Sequence, residues 1–318
     1  MIITIIGATG TQGGSAIKHL LQDSSSGHTI RAITRNPDGD KAQDLSRQGV
    51  QVVKGDLDDV ISLEKAVSGS NAIFAVTDFW TMFAQSGKEA AAARETQQGK
   101  NIVDAAEATI DTLEHFIWST LAETAHNSEQ KAIVPHYESK VAVNRYIESK
   151  PGLLAKTTFL WSGYYASNFA RGCLKPVYMP SASTFVQIQS VPGSTPMAFI
   201  GDTAANLGAF IKAIFEKPEE TRGGKIVHAF IEKSSLEELL QKWAEAHKVT
   251  GVYVQVFRDS YYALFPGEGE EMDLGMRFWD VTRGKDLAPK GQLLTYKELG
   301  VDLSNLVSSE ESFARLPL

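Results

Sequence analysis

Ile2-Ile3-Thr4-Ile5-Ile6-Gly7-Ala8-Thr9-Gly10-Thr11-Gln12-Gly13-Gly14-Ser15 decides the fold. The β-branched apolar run reads as a buried strand, glycines at 7, 10 and 13 follow it directly, and Ala16, Ile17, Leu20 and Leu21 mark one face of a helix. In a strand–loop–helix unit of this kind Gly7 permits the tight turn, Gly10 lets the backbone approach a pyrophosphate, and Gly13 lets helix and strand pack closely. N–H groups at the start of the helix face the phosphates, with Thr11 and Gln12 as backbone donors and Thr9 inside the turn. A glycine-rich turn without a ligand is the bland alternative, but it does not require strand, spacing and helix to coincide. The stretch predicts dinucleotide binding.

Outward from this unit, strand-like and helix-like patterns alternate, which predicts a parallel sheet. Strands are expected at 29–34, 50–54, 72–76, 115–119 and 157–161. Helices are expected at about 13–22, 41–48, 58–68 and 85–108, with another after the break at Pro135. The fold class is therefore α/β, a Rossmann-type doubly wound parallel sheet with a smaller C-terminal α/β substrate lobe. The nucleotide domain is expected over 1–161 and the lobe over 162–318, with about 199–216 as a candidate to return to the first domain. Within the lobe, Ser235 and Glu238 have the spacing of a capping box, and Asp202 has that of an N-cap.

The end of the second strand selects the dinucleotide. An acid there would bond the ribose 2′-hydroxyl of NAD, whereas arginine pairs the 2′-phosphate of NADP. Here the strand ends Thr34-Arg35-Asn36-Pro37 with no acid at its tip. Arg35 offers a planar fork to a dianionic phosphate, Thr34 and Asn36 offer secondary donors, and NADP(H) is expected. Asp56-Leu57 falls either at the adenine edge or, through Asp56, at the cap of the helix beginning near Asp58. Ala75-Val76-Thr77, at the end of the fourth strand, is expected to line the switch-point crevice.

Composition narrows the function. The 318 residues carry 38 acidic against 31 Lys and Arg, a net charge of −7, and no basic run, which argues against direct nucleic-acid binding. One cysteine, Cys173, excludes an intrachain disulfide, and no C-x-x-C or H-E-x-x-H spacing points to a metal. The apolar opening lacks a basic n-region and meets glycine after six residues, so it reads as strand and not as a signal peptide. A cytoplasmic protein with no membrane span is expected, with nuclear access only through a partner. A homodimer is compatible with the composition but not demanded by it.

Gly7-x-x-Gly10-x-Gln12-Gly13-Gly14-Ser15, Thr34-Arg35-Asn36-Pro37, Gly55-Asp56-Leu57-Asp58-Asp59, Val76-Thr77-Asp78-Phe79-Trp80, His136-Tyr137-Glu138-Ser139-Lys140, Phe265-Pro266-Gly267 and Met276-Arg277-Phe278-Trp279 together resemble the NmrA-like family. That family is an atypical branch of the short-chain dehydrogenase/reductase superfamily. The parent pattern is Ser, then Tyr-x-x-x-Lys, with tyrosine as proton donor and lysine on the nicotinamide ribose. Ser119 and Lys140 fit that pattern, but His136 stands four residues before the lysine, and Tyr137 lies about 100° round the helix. The resemblance implies that Lys140 holds the ribose and, as in isoflavone-reductase-like relatives, takes part in proton transfer, aided by His136 or Ser119. After the sixth strand, Tyr164 and Asn168 are implied near the nicotinamide and substrate, and core packing accounts for these aromatics equally well. Phe278 and Trp279 are read as packing the small lobe, the alternative being that they lean over the same cleft. Two functions stay open. One is an NADPH-dependent reductase of a small apolar carbonyl, quinone or imine. The other is a non-catalytic NADPH/NADP⁺ redox sensor that regulates a protein partner such as a transcription factor.

Overall fold

A computed structural model describes residues 1–22 and 27–318. Its centre is an eight-stranded sheet in which every neighbouring pair is parallel. The first half supplies β1 (Ile2–Ile6), α1 (Thr11–Leu21), β2 (Thr29–Thr34), α2 (Asp40–Arg47), β3 (Gln51–Lys54), α3 (Val60–Val67), β4 (Ala72–Ala75), α4 (Phe79–Ala108), β5 (His115–Thr120), α5 (Pro135–Glu148) and β6 (Thr157–Ser162). The second half adds α6 (Thr203–Glu216), β7 (Lys225–Ala229), α7 (Leu236–His247), α8 (Gly269–Thr282) and β8 (Leu293–Leu294). Strand order is β8-β7-β6-β5-β4-β1-β2-β3. The order reverses between β1 and β4, which opens a crevice at their carboxyl ends. This is the α/β, Rossmann-type doubly wound sheet that the sequence predicts.

Helices cover both faces, which is why the central strands are apolar on both sides rather than alternating. On one face α3, α4 and α5 bury Leu63, Val67, Ile102, Val103, Val143 and Ile147 against β4, β5 and β6. On the other, α1 and α6 bury Ala16, Ile17, Leu20, Leu207, Phe210 and Ile211 against β1 and β2. β7 pairs with β6 through Ile226↔Phe159, and β8 pairs with β7, so chain beyond residue 161 extends the sheet by two strands. The rest of the later chain forms two three-stranded sheets around a third core that includes Phe169, Phe199, Leu239, Trp243 and Tyr261. No helix among the described residues is long and apolar enough to cross a membrane.

Helix α4 departs from its expected span. It begins at Phe79 rather than near 85, because the Asp78 carboxylate accepts from the Trp80 and Thr81 amides and caps an extra first segment. Gly87, at φ +80°, breaks the helix between that segment and the long run to Ala108. The breakpoint is open space, so the glycine serves the backbone angle.

Two histidines are buried in the sheet, His115 in β5 against Thr158 and His228 in β7 against Trp161 and Phe230. Burial pushes their imidazoles down from 6.5, to about 3 for His115 and about 4 for His228. The unfolded chain takes up protons at both sites near pH 6.5 while the folded chain does not. Stability is therefore lost as pH falls below 6.5, by about 1.4 kcal/mol per pH unit per histidine. Urea unfolding between pH 6 and 5 should show a shallower loss in His228→Gln than in the parent chain. Equal slopes would mean that His228 protonates in the folded state.

Candidate functional site

The glycine loop leaves no room for side chains. Gly7 sits at φ +81°, and a Cβ there would lie 2.6 Å from Val76 Cγ1. A Cβ on Gly13 would lie 2.3 Å from the Gly7 carbonyl oxygen, so α1 can meet β1 this closely only with glycine at that position. The turn is closed by the Gly10 amide donating to Gly7 O at 3.0 Å. Gly10 is the N-cap of α1 and has no side chain to satisfy the first-turn amides, and the first turn carries no acid. Amides of Thr11, Gln12 and Gly13 are thus left for an anion, and Val76 packs against Gly7 beside them, whereas Ala75, expected in the crevice, is buried in the core. A pyrophosphate fits this cradle.

At the tip of β2, Thr34 Oγ1 accepts from the Asn36 amide and holds the turn, which leaves the hydroxyl proton free. Arg35 is exposed. Asp58 lies near enough to feel its charge, but Arg94 Nη2 bonds the Asp58 carboxylate at 2.6 Å and Gln98 donates to it at 2.8 Å. The Arg94 hydrogen bond holds Asp58 below the usual carboxylate range and neutralises it, so the Arg35 guanidinium keeps its attraction for a phosphate. Lys41 adds a second cation, with Nζ 3.4 Å from the Thr9 carbonyl oxygen. The sequence offered one signal for Lys41, a basic residue in the first turn after the strand tip. Asp56 does not cap α3. That role belongs to Asp59, which accepts from Ile61 and Ser62, while Asp56 accepts from its own Asp58 amide. Leu57 lends its carbonyl oxygen to Asn101.

The three candidates for proton transfer have different surroundings. Ser119 is buried and donates to Gln12 Oε1 at 2.7 Å, and Gln12 Nε2 donates to Tyr165 O–H at 2.8 Å. Its proton ties β5 to the glycine loop. Lys140 Nζ donates to Thr77 Oγ1 at 2.9 Å, to Glu95 Oε1 at 2.8 Å and, more weakly, to the Thr77 carbonyl at 3.4 Å. All three N–H bonds are thereby engaged. Glu95, from α4, is 1% exposed and also accepts from Thr77 and Ser139, so Lys140 is its counter-ion. His136 is bound through Nδ1 to Glu271 Oε1 of α8 at 2.6 Å, and its Nε2 makes no hydrogen bond among the described residues. Phe79 and Trp80 flank the ring, with centroids 5.7 and 4.9 Å away. Tyr137 is turned into the core, where its hydroxyl accepts from Trp279 Nε1 and burial pushes it up to about 12.

Sequence reasoning missed Glu95 and Glu271, because a carboxylate on a helix reads as a solvated face until its neighbour is known. Tyr164, for which the sequence left core packing open, lies in the core, and it is Tyr165 that reaches the glycine loop. In the two-residue strand Tyr164–Tyr165 the side chains take opposite faces, so Tyr165 reaches Gln12 while Tyr164 packs with Phe169 in the third core. Asn168 hydrogen-bonds Tyr164 there. Phe278 and Trp279 pack around Tyr137, with Phe278 in the main-sheet core rather than in the small lobe.

Over residues 1–281 the sequence matches the NmrA-like family. The chain belongs to that family. The NmrA-like family domain-containing oxidoreductase FrzB of Cladobotryum sp is 26% identical, over 91% of this chain and 87% of that protein. Among solved structures, NmrA, a negative transcriptional regulator in complex with NADP, superposes with a TM-score of 0.73 at 21% identity, over 99% of this chain and 94% of NmrA. The NADPH-dependent quinone oxidoreductase QOR2 of Escherichia coli, complexed with NADPH, gives 0.68 at 18%, with 99% of each chain covered. These likenesses extend the NmrA-like fold across the whole chain.

Removing one partner of the Glu95–Lys140 pair leaves a buried charge uncompensated. In urea unfolding, Lys140→Met should lose roughly 3–5 kcal/mol, most of it recovered in Glu95→Gln/Lys140→Met. A double variant no more stable than the single one would show that Lys140 is not the counter-ion of Glu95.

Proposed function

We propose that this NmrA-like protein is an NADP(H)-dependent reductase of a small apolar carbonyl, quinone or imine, with His136 as proton donor. The observation that carries the reading is the unpartnered Nε2 of His136, set between aromatic rings and fixed from behind by a carboxylate. Ser119 and Lys140 have their protons engaged elsewhere, so they orient the site rather than turn over protons. The naming of the Cladobotryum relative as an oxidoreductase supports the same class.

The bound dinucleotide supplies a hydride to the electrophilic carbon. When bound, its pyrophosphate would be held by the amides of Thr11, Gln12 and Gly13, its 2′-phosphate by Arg35 and Lys41, and its ribose by Lys140, which Glu95 fixes. His136 Nε2–H gives its proton to the acceptor's oxygen or nitrogen as the double bond opens, and the imidazole regains that proton from water. One hydride and one proton reduce one double bond. Phe79 and Trp80 provide an apolar wall for a planar acceptor.

Two measurements test this. NADPH absorbance, followed with quinones, aldehydes, ketones and imines, should fall in the presence of the purified chain. His136→Asn should cut that rate by about 10²–10⁴ without changing NADPH affinity. Silence towards every acceptor, combined with tight and redox-selective cofactor binding, would instead favour a sensor, the reading that engaged Ser119 and Lys140 also permit. Separately, Arg35→Ala should weaken NADPH binding by about 1.5–3 kcal/mol and leave NADH unchanged. An equal loss for both cofactors would remove Arg35 from the 2′-phosphate.

A further inference from the structure

We propose that Glu271 is the positioning residue that makes His136 a proton donor: its buried carboxylate fixes the imidazole so that Nε2 alone exchanges protons, and it stabilises the charged ring. The inference rests on the functional reading above for its chemistry, but not for its geometry.

The carboxylate is 0% exposed in its side chain, and the imidazole is 15% exposed. Glu271 Oε1 accepts twice from residue 136, from the backbone amide at 3.1 Å and from Nδ1 at 2.6 Å. That pair of bonds sets both where the residue sits and how its ring is turned. Because a carboxylate can only accept here, Nδ1 must carry a proton in the bonded state, which leaves Nε2 to gain and lose the other. Glu271 Oε2 is buried with no hydrogen-bond partner among the described residues, so residue 136, through its amide and its imidazole, supplies the hydrogen bonds the carboxylate receives there. A buried carboxylate is costly unless a positive charge lies beside it, and a protonated imidazole is the group placed to supply one.

The other charges around the pair are already matched. Lys88, after the Gly87 break, pairs with Glu270 at 2.9 Å, and its charge also acts on Glu89 and, without a direct contact, on Glu271. Lys140, one turn along α5, is held by Glu95. Asp273, two residues along α8, accepts from the Tyr262 hydroxyl and lies 3.4 Å from Arg277. Asp78 is spent on its helix cap, and the remaining neighbours are Phe79, Trp80 and the neutral Tyr137. None of these groups substitutes for Glu271 at Nδ1.

A purely structural role is the competing account, since Glu271 also caps an amide in the first turn of α5 and ties α8 to it. Glu271→Gln separates the two. Glutamine keeps an acceptor oxygen at the same reach and loses only the charge. NMR titration of the His136 imidazole in the full chain, assigned through His136→Asn, should show its midpoint falling by at least one pH unit in Glu271→Gln. The neutral ring should be protonated at Nδ1 in both proteins. The pH midpoint of kcat/KM should fall by the same amount, with NADPH affinity within twofold of the parent. An unchanged imidazole midpoint, or a neutral ring protonated at Nε2, would overturn the proposal, as would a loss of stability alone. The titration needs no turnover. A shifted midpoint in a chain that reduces nothing would therefore retain the dyad and remove the reductase reading, whereas turnover with an unshifted midpoint would do the reverse.

Discussion

The close approach of α1 to its neighbours constrains everything else at the site. Gly13 lets the helix start against the Gly7 carbonyl, and Gly208 of α6 lets a second helix cross it where a Cβ would stand 2.0 Å from the Ser15 carbonyl oxygen. Ser15 Oγ accepts from the Gly208 amide at 2.8 Å in the same contact. Caught between strand and helix, α1 can neither tilt nor slide, and its N-terminal amides are held at the switch point between β1 and β4. From that fixed position Gln12 reaches both Ser119 and Tyr165. The polar residues that line the crevice are therefore set by backbone packing and not by loop flexibility.

A second constraint divides the work between the residues of α5. Positions 136 and 140 lie one turn apart, and each faces a buried carboxylate from another helix, Glu271 of α8 and Glu95 of α4. The two pairs look alike and differ in what remains unbonded. An ammonium whose three protons all find acceptors becomes a fixed cation that holds the end of β4. An imidazole bonded through one nitrogen keeps the other for exchange. The tyrosine of the parent pattern is displaced by one residue, which turns it about 100° and sends it into the core against Phe278 and Trp279. The family position is thus filled by a residue whose unperturbed titration lies nearer neutrality than that of a phenol.

Legibility in the sequence followed the range of the interactions. The glycine loop, the Asp202 cap and the Ser235–Glu238 box are settled within a few residues, and each could be read directly. Arg35 at a strand tip without an acid was legible for the same reason. The membership of Lys225–Ala229 in the main sheet was not, because a five-residue apolar run looks the same whether it pairs with β6 or stands in a separate lobe. Glu95 and Glu271 were hidden by distance, since their partners lie 45 and 135 residues away along the chain. Tyr164 and Tyr165 were ambiguous because alternation says that one must face the loop but gives no phase for a strand of two residues.

The two halves of the site therefore depend on different parts of the molecule. The dinucleotide cradle is made by β1, α1, β2 and β4, with the α6 contact behind it. The orientation of His136 depends on α8, whose Glu271 lies 135 residues further on, and on the Lys88–Glu270 and Glu271–His136 contacts that bring α8 to α4 and α5. Packing changes in the later chain would alter the imidazole while leaving the glycine loop intact. Cofactor binding can consequently outlast proton transfer within one fold. A chain that loses the α8 carboxylate would keep the backbone cradle at the start of α1 and, on the proposal above, lack only the group that orients His136, so one sheet can carry either a reductase or a binding module.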